Sequence, residues 1–206
     1  MHKKTVPQRV SDPGYYWYWL YSLIIVLLIL SPSLVILKFS SSLNRQANKL
    51  FVSADKAVQF GTPKRLLINS INVDASVESV GLTAEGAMDV PVNADNVAWY
   101  NLGPKPGEKG SAVIDGHLDK EDQSPAVFVN LEKIEIGDTV TIVDDKDQTL
   151  TFKVIETRVF NADDNTDVVF NNNKGSFLNL ITCSGTWNSG KLDYDERRVI
   201  FTELVQ

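Results

Sequence analysis

The sequence predicts an all-β domain, a closed barrel or a sandwich, behind an apolar N-terminal segment. After Thr62-Pro63 the chain breaks into short apolar runs divided by turn residues, and β-branched and aromatic residues dominate those runs. The runs are Arg65–Ile68, Val77–Leu82, Ala87–Val90, Ser111–Ile114, Thr139–Val143, Leu150–Phe160, Phe177–Thr182 and Arg198–Leu204. About eight strands in a domain of this size favour closure, because closure removes exposed strand edges.

Period-two alternation is clearest at Val140 and Ile142, against Thr139, Thr141 and Val143. The polar stretch Asp144 to Gln148 and then Leu150, Phe152 and Val154 follow, which predicts a hairpin. Phe128, Leu131 and Ile134 recur every third residue and predict a short helical turn.

From Pro13 to Leu37 no residue is charged. As a helix this run rises about 37 Å, enough to cross a hydrocarbon core of about 30 Å. Tyr15, Tyr16, Trp17, Tyr18, Trp19 and Tyr21 crowd one end, where amphipathic rings favour a membrane interface. The run is too long for a cleaved signal peptide and lacks a clear A-x-A site, so a retained anchor is expected. Basic residues balance on its two sides (Lys3, Lys4 and Arg9; Lys38, Arg45 and Lys49), so charge alone leaves its orientation open. The expected organisation is a tail over 1–12, a transmembrane anchor over 13–37, a stalk over 38–61 and a folded domain over 62–206.

Beyond residue 50 the chain has 14 Lys and Arg against 25 Asp and Glu, a formal balance of −11. That acidity argues against a nucleic-acid partner. The single cysteine precludes an internal disulfide.

Cys183 is the chain's only cysteine and His117 the domain's only histidine, so any Cys–His pair is this one. A thiol attacks a carbonyl carbon as thiolate and needs a base or an electropositive setting. Histidine titrates near neutrality and can move that proton. Cys183 closes the run Phe177–Thr182 ahead of Ser184-Gly185, and His117 follows Ser111–Ile114, so both are expected at strand ends. Asp119 is placed either to orient the imidazole or to be solvated. Arg197 and Arg198 open the last run, where a guanidinium could hold an oxyanion. Taken singly, each has a plainer reading: a buried small thiol, a satisfied histidine, solvated arginines.

Taken in order, "AVIDGHLD", "LNLITCSG" and "RRVIF" resemble the sortases over roughly residues 62–206. With "MDVPVNADNVAWY", "GPKPGEKGSAVIDGHLD" and "VFVNLEKIEIGDTVTIV" the chain is most similar to the class F branch. Position 179 is Asn where the family pattern usually has Thr. The resemblance implies a closed eight-stranded β-barrel with short helical turns, behind one N-terminal transmembrane helix. The domain would lie on the extracellular side of the cell membrane, with the 1–12 tail in the cytoplasm.

The implied reaction is acyl transfer at an LPXTG-like sorting signal. Cys183 would be the nucleophile, His117 the acid/base, Arg198 the charge stabiliser and Thr182 a lining residue of the substrate pocket. Arg198 is chosen over Arg197 because it immediately precedes the "VIF" run and shares a face with Ile200, which is expected to pack inward. The implied partners are surface proteins bearing the signal, an amine acceptor such as a cell-wall precursor or a pilin lysine, and the bilayer through residues 13–37. No cofactor is expected. Asp119, Glu121 and Asp122, and Asp163, Asp164 and Asp167, lack the spacing of a calcium loop, so no essential metal is expected. Two other classes remain open, an envelope cysteine peptidase that only hydrolyses and a catalytically silent peptide-binding barrel.

Overall fold

The computed structural model describes residues 18–25 and 59–205. Residues 18–25 are helical, and among the described residues no helix is long and apolar enough to cross a membrane. The remainder of the expected anchor, the tail and nearly all of the stalk lie outside the described residues. A compact unit runs from Gln59 to the end of the chain.

That unit is built on eight strands: β1 (Pro63–Ile68), β2 (Val73–Val80), β3 (Val97–Tyr100), β4 (Gly110–Gly116), β5 (Thr139–Asp144), β6 (Thr149–Asn161), β7 (Ser176–Asn188) and β8 (Asp193–Leu204). They close in the order β1-β2-β3-β4-β7-β8-β6-β5. Pairs β2–β3 and β4–β7 are parallel and the rest antiparallel.

Alternation along the strands separates two apolar clusters. Leu66, Val97, Ile114, Val140, Ile142, Phe152, Leu178, Leu180 and Ile200 fill the barrel. The opposite faces of β4, β7 and β8 carry Val113, Ile181, Val199 and Phe201, which pack outside it with Val169 and Phe170 of a one-turn helix, α1 (Asp167–Phe170). This outer layer is the floor on which the site is built.

The β5–β6 hairpin forms as expected, with Ile142 opposite Leu150 and Val140 opposite Phe152. The expected turn is a 3₁₀ turn at Leu131–Lys133, and Phe128, Leu131 and Ile134 are all buried. One expectation is corrected. Ala87–Val90 is not a strand; only an isolated Leu82–Met88 bridge forms there, and Val90 and Val92 are exposed. Gly86, with φ +86°, and Pro91 bend this segment into a loop that walls the outer floor. The strand lies instead at Val97–Tyr100, where Val97, Ala98 and Trp99 are buried in succession. A strand buried on both faces lacks the alternation that marks a half-exposed one.

Candidate active site

Parallel pairing of β4 and β7 sets their C-terminal directions side by side. The register Asp115↔Ile181, carried two residues further on both chains, brings His117 beside Cys183. Strand β8 returns antiparallel on the other side of β7, with Cys183 opposite Arg197. Directly opposed residues share a face. The order β4–β7–β8 therefore lays His117, Cys183 and Arg197 across the outer floor, and all three line one cavity of about 520 Å³.

Arg198 is not among them. It stands opposite Thr182, whose side chain is buried, and so faces the other side of the sheet. The expected alternation holds, since Arg198 does share its face with Ile200. Ile200, however, points into the barrel, whereas the cavity opens outside it beside Val199. The one-residue offset follows from the choice of face.

Thr182 is corrected for the same reason. It is 2 % exposed and does not line the cavity. Its Oγ1 donates to the carbonyl of Gly116 at 2.8 Å, tying the end of β7 to the residue before His117. Asn179 is also buried, and its Nδ2 donates to the carbonyl of Val169, which fastens α1 to the barrel. A threonine there has no amide N–H to give to that carbonyl.

His117 is held from both ends. Its carbonyl accepts from the Phe128 N–H at 2.9 Å. Its Nε2 lies 2.9 Å from the carbonyl of Pro91. A carbonyl only accepts, so Nε2 carries a proton in this bond and Nδ1 is left for proton transfer. The orienting group is therefore a backbone carbonyl on the loop before β3. Asp119 has another partner: its Oδ2 accepts from the Tyr194 hydroxyl, joining the loop after His117 to the strand that carries Arg197. That bond raises the Tyr194 pKa to about 12, with burial adding to it.

Arg197 Nη1 donates to the carbonyls of Tyr194 (3.0 Å) and Glu196 (2.9 Å), and Nη2 to Asp193 Oδ2 at 2.6 Å. A guanidinium has five N–H donors, so among the described residues Nε–H and one Nη2–H are left for an incoming oxygen. Cys183 is partly buried, and burial is the main reason its pKa rises to about 11. Arg197 pulls it down, while Asp115, Asp193 and Asp119 push it up.

Three of the other acids singled out in the sequence are engaged locally. Asp122 accepts from Ser124, Asp163 pairs with Lys191, and Asp164 accepts from Asn161. Pro91 and Tyr194 were not legible as site residues, because each acts through a contact between distant segments; Asp193, four residues from Arg197, was missed because the neighbouring arginine was chosen.

A thiol, an imidazole with one nitrogen free, and a braced guanidinium in one cavity form a set able to run acyl transfer. Comparisons with known proteins give the family. The sortase domain family matches residues 66–205. Comparison with curated proteins found no match.

Among solved structures, sortase C-1 from Actinomyces oris is 22% identical with a TM-score of 0.56, over 69% of this chain and 73% of that one. A Clostridium perfringens sortase D5 transpeptidase is 23% identical with a TM-score of 0.53, over 70% and 79%. Sortase A from Corynebacterium diphtheriae is 18% identical with a TM-score of 0.56, over 73% and 63%. The likeness to these structures shows the barrel, and the family match covers most of the chain: the protein belongs to the sortase family of cysteine transpeptidases.

Proposed function

We propose that this sortase, a member of the class F branch, cleaves an LPXTG-like sorting signal and transfers the released carbonyl to an amine on the cell envelope. The observation that carries the reading is the alignment of His117, Cys183 and Arg197 on three adjacent strands across one cavity. Cys183 Sγ attacks the carbonyl carbon of the residue before the scissile bond while His117 takes the thiol proton. Arg197, in place of the expected Arg198, holds the oxyanion through its free N–H groups.

The tetrahedral intermediate collapses as the C–N bond breaks, and His117 protonates the departing amine. A thioacyl enzyme remains. An acceptor amine then attacks the thioester carbonyl and gives a proton to His117. A new C–N bond forms, the C–S bond breaks, and the proton returns to sulfur. A retained anchor over 13–37 places this chemistry at the extracellular face of the membrane. The uncharged run and its aromatic end support the anchor, and the likeness to sortases supports the extracellular side.

The test is to incubate the protein with a small library of sorting-signal peptides and amines and to identify the products by mass. Cleavage at one bond with amine ligation at that carbonyl is expected, as is a thioacyl adduct on Cys183 when no amine is supplied. Hydrolysis that no amine diverts, or turnover surviving Cys183→Ala, refutes the reading.

A further inference from the structure

Val113 and Asp115 on β4, and His117 just past its end, alternate onto the outer face. Asp115 lies in register with Ile181, and Ile181 with Val199. These three form a second row beside His117, Cys183 and Arg197, displaced two strand residues or about 6.6 Å. Both rows line the same cavity. Met88 and Phe170 close over the Asp115 side of it, and Trp187 and Tyr194 stand on the other. The peptide leading up to an acylated Cys183 therefore has an apolar trough on the Asp115 side, one carboxylate in its floor. An extended chain advances about 3.3–3.6 Å per residue, so the first or second residue before the acylated one reaches Asp115.

Among the described residues that carboxylate has no side-chain hydrogen-bond partner. Three other carboxylates of the cavity are engaged, Asp119 by Tyr194, Asp193 by Arg197 and Asp164 by Asn161. Burial raises the Asp115 pKa to about 6, against the weaker downward pull of His117, Arg197 and the Gly116 N–H. It is still mostly ionised at neutral pH. A group left so short of partners in a substrate trough lacks a donor that the substrate can bring.

Resting on the transpeptidase reading, we infer that Asp115 selects a sorting signal with a basic side chain at one of the two positions preceding the acylated residue. Ile181 and Val199 take the methylenes of that side chain and Asp115 takes its charged head. An acidic side chain in the same place meets a like charge and is disfavoured.

The full chain is given peptides carrying Lys, Ala or Glu at each of the two positions, without an amine, and the rate of acyl-adduct formation on Cys183 is followed by mass. At one position Lys should exceed Glu by at least about tenfold near neutral pH. Asp115→Asn and Asp115→Ala should bring that ratio close to one. Equal rates for Lys and Glu in the wild type overturn the inference, as does a preference that survives both substitutions. The wild-type ratio decides by itself if neither variant folds. Absence of any adduct with every peptide overturns the transpeptidase reading and this inference with it; adducts formed without charge preference overturn the inference alone.

Discussion

Burial of the Cys183 thiol outweighs the nearby Arg197, and with Asp115, Asp193 and Asp119 around it the resting group at neutral pH is the protonated thiol. The nucleophile must then be generated as substrate binds, which makes the positions of His117 and Arg197 decisive. Alkylation of Cys183 by iodoacetamide should accelerate about tenfold per pH unit from neutrality toward pH 11. Arg197→Ala removes the one nearby cation found to lower the thiol pKa, so alkylation at pH 9 should slow. Turnover should fall about 10²–10³-fold in Arg197→Ala, the usual cost of a lost oxyanion donor, and little in Arg198→Ala. Parallel kcat measurements, with folding checked by circular dichroism, separate the two, and the reverse pattern would return the role to Arg198. Asp115 gives a stability test with its own sign. Its folded pKa of about 6 lies above the ordinary 3.8, so ionisation disfavours the folded state: stability present below pH 3.8 is lost as pH rises through 6. Asp115→Asn should therefore melt above wild type at pH 8, by about 2–4 °C per kcal/mol relieved, and the gain should shrink toward pH 4. Equal melting at both pH values would show that the carboxylate is not desolvated.

Element placement depends on close contacts at the strand ends that flank the site. A Cβ on Gly116 would sit 2.5 Å from the Phe128 ring, and Phe128 also donates its N–H to the carbonyl of His117. Gly116→Ala should push β4 away from the 3₁₀ turn, at about 1–3 kcal/mol for overpacking, and should lower turnover beyond that loss by shifting His117. Thr182→Val keeps the shape but strips the Gly116 carbonyl of its donor, which costs about 1–3 kcal/mol. Denaturant melts and kcat for both variants check this; wild-type kcat in Gly116→Ala would show that β4 does not set the imidazole. At this scale the sequence was informative where one face is wet and the other dry. The β5–β6 hairpin and the Phe128–Ile134 turn were legible from their periods. Strand β3 was hidden because it is buried on both faces, and the Arg197 position because alternation fixes parity without saying which face bears the site.

Across the whole domain, function follows from which strands the barrel makes neighbours, and that is the level least visible in a linear chain. Cys183 and His117 could be paired by elimination, but their meeting rests on the parallel β4–β7 contact, and the arginine's place rests on the antiparallel β8 beside it. The domain's starting point is another property set by distant contacts. The composition change at Thr62 suggested a boundary there, yet three preceding residues already pack on the barrel. Gln59 O accepts from Lys146 Nζ, Gly61 N donates to Asp144 Oδ2 at 2.6 Å, and Phe60 covers Gly107, where an added Cβ would lie 2.5 Å from the ring. Asp144 is 1 % exposed. Burial alone would raise its pKa, but the N–H groups of Gln148, Gly61 and Lys146 outweigh burial and hold it below the ordinary carboxylate range. Such a group contributes stability above its unfolded pKa and loses it as pH falls through the lower folded value. A fragment beginning at residue 62 lacks one of those three donors and the Phe60 contact. A hydrogen bond to a charged group is worth about 1.5–3 kcal/mol. The 62–206 fragment should therefore melt below the 59–206 fragment at pH 7, by about 2–4 °C for each kcal/mol lost. The gap should narrow in acid as Asp144 is protonated in both. Identical melting at pH 7 would show that residues 59–61 add nothing to the fold and that the boundary at 62 was right.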